Sequence, residues 1–149
     1  MAEPKAAIPR WVQWSSLALA LIGLVLSIYL TVEHYTSPSL LACPETGVVN
    51  CGKVTSSPES ELLGIPVALL GLLYFVPVVG LMTPWAWRQD RLVPVRLGAL
   101  AAGLLFVGWL VYAELFRVGA ICLYCTGVHV ATVALFAVVL LGEAAREPA

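Results

Sequence analysis

Residues 119–141 read GAICLYCTGVHVATVALFAVVLL, and the rest of the chain is read outward from them. Cys122 and Cys125 stand in a Cys-x-x-Cys spacing at the mouth of an apolar run that continues to Leu141. About 20 apolar residues cross a bilayer core, so the run predicts a membrane helix. His129 follows Cys125 by one helical turn, which puts both on one face. Unpaired backbone N–H groups and the helix dipole at a helix start favour a thiolate. The stretch therefore predicts a reactive thiol pair at one membrane face, with an imidazole one turn deeper.

Composition extends this reading to the whole chain. Of 149 residues, 60% are hydrophobic and 11% charged. Soluble domains carry about 25% charged residues. Mean hydropathy is +0.93. Apolar runs predict helices over about 12–34, 58–82, 95–116 and 121–142. None of them alternates as the strands of a closed barrel do. The expected fold class is an all-α membrane protein: a four-transmembrane-helix bundle in a single domain over 1–149, with a long extracytoplasmic loop between helices 1 and 2 and no fused thioredoxin-like domain. The first run follows Lys5 and Arg10 but is too long for a secretory signal and ends without a small-residue cleavage site. A net charge of −1 and the lack of a basic run argue against a nucleic-acid partner.

Charge placement predicts the orientation. With cytoplasmic termini, Lys5, Arg10, Arg88, Arg91, Arg96 and Arg146 fall on the cytoplasmic side, and Lys53 and Arg117 on the other. That asymmetry follows the positive-inside rule. Trp11, Trp14, Trp85 and Trp87 then form an aromatic belt at the cytoplasmic interface. All four cysteines fall on the outer side, a compartment that permits disulfides. Alanine and arginine usage points to a bacterial source, and the expected location is the inner membrane.

The segment Thr36–Ser57 is the longest loop, and it holds Cys43 and Cys51 among turn residues. Ser57-Pro58-Glu59 reads as the start of helix 2: a cap, a proline at the first position and an acid at the positive dipole end. Ser57 also suits a hydroxyl at the roof of a ligand site. Pro66 predicts a kink that opens room below the loop. Glu114, at the outer end of helix 3, reads either as a functional acid or as a solvated interfacial one. His34 reads as an ordinary interfacial residue.

Cysteine pairs have several uses. They bind zinc, fill cores as inert thiols, or exchange electrons. Four cysteines on one face disfavour the inert reading, and the seven-residue gap between Cys43 and Cys51 is irregular for a zinc finger. The redox reading has one pair on a mobile loop and one on a helix, passing electrons by thiol–disulfide exchange. The last acceptor must then reach Cys125 from the bilayer, and a quinone has that character. His129 is the candidate to hydrogen-bond a quinone oxygen or supply a proton. No metal site is expected.

Cysteine order, both spacings and the serine six places after Cys51 resemble the vitamin K epoxide reductase family, in particular its prokaryotic members that drive disulfide formation. The resemblance covers nearly the whole chain. It implies a quinone-dependent thiol–disulfide oxidoreductase with Cys43, Cys51, Cys122 and Cys125 as redox centres. Cys125 would stand next to the quinone, Cys122 would exchange with Cys51, and Cys43 would meet a separate thioredoxin-like partner. Ubiquinone, menaquinone and a vitamin K type quinone are the candidate co-substrates. Vertebrate relatives carry a tyrosine where this chain has His129. A vitamin K epoxide reductase proper, and a zinc-binding structural membrane protein, are the alternative readings.

Overall fold

The computed structural model describes residues 7–36 and 42–146. Lys5 and the first part of the long loop lie outside them.

The first helix, α1 (Arg10–Thr36), is 27 residues long, about 40 Å at 1.5 Å per residue. It begins and ends two residues beyond the expected 12–34. Its buried stripe is mostly small: Ser16, Ala20, Gly23 and Ser27, flanked by Val12 and Leu30. Small residues let neighbouring backbones approach where no aqueous hydrophobic effect draws helices together. A Cβ at Gly23 would run into the ring of Phe75, so that glycine is required by a close approach. α1 accordingly packs along two other helices, Val67–Leu81 and Leu123–Ala144.

The second expected helix, 58–82, is not one element. A short helix α2 (Cys51–Thr55) leads into a 3-10 turn over Pro58–Ser60. A two-stranded antiparallel hairpin follows, β1 (Glu61–Leu62) with β2 (Ile65–Pro66), turning at Leu63 and Gly64, both with positive φ. Only then does α3 (Val67–Leu81) begin. Pro66 is its N-cap and not a kink within it. At 15 residues, α3 is about 22 Å long, short of the roughly 30 Å hydrocarbon core.

Beyond α3, a one-turn helix α4 (Pro84–Trp87) and a 3-10 turn (Asp90–Leu92) lead into α5 (Val93–Tyr112). This helix widens into a π-helical turn, Ala113–Val118, two residues past the expected end. Gly119 closes the turn at φ 70°, where an L side chain is strained. The last helix, α6, runs Leu123–Ala144 with Cys122 as its N-cap. Among the described residues, three stretches are long and apolar enough to cross a membrane: Arg10–Thr36, Asp90–Val118 and Leu123–Ala144. Large apolar side chains such as Val25, Leu105, Val130 and Leu141 are exposed on their outer faces, as lipid contact requires.

The core between the helices joins Val12, Ala20, Phe75, Val78, Leu100, Leu135 and Val139. Arg96 and Trp87 depart from the expected interfacial positions. Arg96 is fully buried, 3.9 Å over the Trp87 ring, and pairs with Glu143 at 3.0 Å. It also donates to the carbonyls of Leu81 and Ala86. Trp11, Trp14 and Trp85 are exposed, as a belt requires.

Candidate functional site

The four sulfurs gather at the other end of the bundle. Cys43 and Cys51 form a disulfide with their Cα atoms 6.2 Å apart, and Cys122 and Cys125 are free thiols. The described part of the loop, from Ala42 on, is docked against the start of the last helix. Ile121 donates to the Val48 carbonyl at 2.8 Å and accepts from Asn50 N–H at 3.1 Å. This parallel bridge pairs Val49, two residues before Cys51, with Ile121, the residue before Cys122. Tyr124 adds a tether, its hydroxyl donating to the Ala42 carbonyl at 2.9 Å. Cys51 and Cys122 are both fully buried in one apolar cluster with Leu30, Val54 and Ala120.

Local structure sets the roles open to each thiol. As N-cap, Cys122 accepts at Sγ from the Cys125 N–H, 3.4 Å away. Hydrogen bonding from the Cys125 side chain holds the Cys122 thiol below its usual range, against burial and the charge of Glu114, which push it up. Cys125 sits half-buried in the first turn and faces inward.

Below the loop, Cys125, His129, Ser57, His34, Glu59 and Glu114 line one cavity, whose remaining wall is mostly apolar, including Leu30, Ala68 and Leu110. An apolar cleft with a few convergent polar groups suits an amphipathic ring such as a quinone. The cap reading of Ser57 does not hold. Its side chain makes no cap bond, and its hydroxyl donates to the Val54 carbonyl at 2.7 Å. Glu59 does not serve a helix dipole either. It pairs with Arg117 at 3.0 Å, and that hydrogen bond lowers its carboxyl below the usual range.

The structure thus brings together the six expected site residues, Cys43, Cys51, Cys122, Cys125, His129 and Ser57. Two residues that the sequence leaves ordinary or ambiguous join them. His34 joins the lining with its Nε2 3.8 Å from Glu61. Glu114 is only 7% exposed, which removes the solvated reading. The available signal for Glu114 was an acid in an apolar stretch five residues before a glycine. Among the described residues, no group of three or more His, Cys, Asp or Glu is arranged to hold a metal ion.

A model described as the vitamin K epoxide reductase family matches residues 14–140, a span containing all four cysteines, Ser57, Glu114 and His129.

Proposed function

The chain belongs to the vitamin K epoxide reductase family, and on that premise we propose that it oxidises a thioredoxin-like dithiol partner and reduces a membrane quinone. Family membership and the three apolar helices make it an integral membrane redox protein of thiol and quinone chemistry. The partner, the direction of electron flow and the residue roles are our reading. α3, with the hairpin above it, completes a fourth span. The cysteines face the extracytoplasmic side of a bacterial inner membrane, and the chain termini face the cytoplasm.

Electrons enter at the loop. A partner thiolate attacks Cys43, breaks the Cys43–Cys51 bond and leaves as the partner's own disulfide, with both loop cysteines reduced. Cys51 then attacks Cys122 of an oxidised Cys122–Cys125 pair. Cys43 resolves this mixed disulfide, so the loop bond re-forms and the helix pair gains two electrons. The state with a loop disulfide and free Cys122 and Cys125 thiols is the one described above. Cys125 faces the cavity, and His129 orients the ring by a hydrogen bond. A bound quinone supplies the two-electron acceptor.

One observation carries the reading. Cys51 and Cys122 share a buried cluster, while Cys125, His129 and Ser57 line the cavity beneath it. The test is anaerobic mixing of purified, fully reduced protein with ubiquinone and menaquinone analogues, followed by disulfide mapping. Quinol should form stoichiometrically with a Cys122–Cys125 disulfide. Oxidation of the loop pair with no quinol formed would exclude the pathway.

A further inference from the structure

We propose that Glu114 carries a proton between the Cys122–Cys125 thiols and the quinone, an inference that rests on the functional reading above. Its carboxylate forms no hydrogen bond or ion pair among the described residues, although the residue is 93% buried. Its oxygens are not among the sealed, partnerless side-chain atoms of the described residues, so the carboxyl opens onto the cavity it lines, where a ligand oxygen can meet it. The backbone explains the π turn but not the side chain. The Glu114 carbonyl accepts from Gly119 at 2.9 Å and Ala120 at 3.2 Å, which any residue type would do. π turns inside helices occur frequently at functional sites.

Position narrows the role. Glu114 and His129 line the quinone cavity and also a second, apolar groove between α5 and α6, walled by Val107, Val111, Val130 and Val133. They stand where the two spaces meet. Besides Glu114, titratable groups reach the cavity from three elements, His34 from α1, Glu59 from the 3-10 turn, and Cys125 and His129 from α6, while the lining from α2, α3 and α5 carries none. His34 is engaged with Glu61, and Glu59 with Arg117. Glu114 is therefore the carboxyl left able to change protonation without breaking an ion pair. Its charge also acts on the Cys122 thiol and opposes the thiolate. A proton on Glu114 removes that opposition as the thiolate forms.

The step balances without an outside reagent. Two S–H bonds break and one S–S bond forms, releasing two electrons and two protons. The quinone takes up both electrons and both protons as two O–H bonds. Glu114 gives one proton to a quinone oxygen and takes one from the thiol pair, ending as it began.

The test uses the full chain in lipid nanodiscs. E114Q should slow quinol formation by about 100-fold, the low end for proton-transfer catalysis. KM should stay within about twofold, and oxidation of the dithiol by glutathione disulfide should not slow, because the neutral amide no longer opposes the Cys122 thiolate. E114D should recover part of the rate. A wild-type rate in E114Q overturns the proposal, and so does an equal loss in the glutathione arm. A second readout needs no quinone: an infrared difference spectrum of the wild-type protein on oxidation of the dithiol. A carboxyl C=O band that changes, and that shifts in E114D or is lost in E114Q, supports the proton coupling even if neither quinone is reduced or E114Q does not fold. No carboxyl band in the wild-type protein overturns it. Failure of the wild-type protein to reduce any quinone instead defeats the functional reading, and the two failures are thereby told apart.

Discussion

The two ends of the bundle treat buried charge in opposite ways. At one end Arg96 is enclosed with every direction answered: Glu143, two carbonyls and the face of Trp87. At the other end Glu114 is almost as enclosed, and nothing among the described residues answers it. A buried charge with its partners in place fixes geometry, whereas one without them remains free to exchange a proton. The clamp ties α3, α4, α5 and α6 together, and the sulfur end keeps an open cavity under a docked loop. Rigidity is concentrated away from the chemistry.

Breaking the sulfur end should have the largest effect. Cys125→Ala should abolish quinone reduction, a loss on the order of 10⁴ or more, as for a lost nucleophile. The Cys43–Cys51 disulfide and the thermal unfolding temperature should be unchanged; residual quinol formation near the wild-type rate would remove Cys125 from the pathway. Breaking the clamp should act on stability. Arg96→Met strands two carbonyls and weakens the hold on Glu143, which keeps Arg146. The expected cost is about 3 kcal/mol, read as a lower unfolding temperature in detergent, with quinone KM preserved. If activity fell while stability held, the division between the ends would be wrong. The smallest effect sharpens the cavity: His129→Ala should raise quinone KM about 3–10-fold, the worth of one neutral hydrogen bond. An unchanged KM would take His129 out of the binding site.

Much of this division is legible in the residues. The Cys-x-x-Cys opening a long apolar run places α6 within two residues, and the i, i+4 spacing places His129 beside Cys125 on the cavity wall. The start of the second helix is not legible because hydropathy averages over backbone geometry. Leu62, Leu63 and Ile65 are as apolar as a helix face, yet Gly64 and Pro66 turn them into a hairpin. Arg96 illustrates the same limit. A charge near the end of an apolar run reads as an interfacial anchor, and only the chain folding back through Trp87 and Glu143 buries it. Glu114 was ambiguous for a related reason. Whether an acid near a helix end points to water or inward depends on the extra residue of a π turn, which no periodicity of 3.6 anticipates.

The relay requires the loop disulfide and the helix thiols to lie within exchange distance. The direct measurement is disulfide trapping in the double variant Cys43→Ala, Cys125→Ala, which leaves only Cys51 and Cys122. Mild oxidation in the membrane should link those two within nearly every molecule, as a mobility shift and a single cross-linked peptide. Persistence of two free thiols, or links only between separate molecules, would contradict the relay.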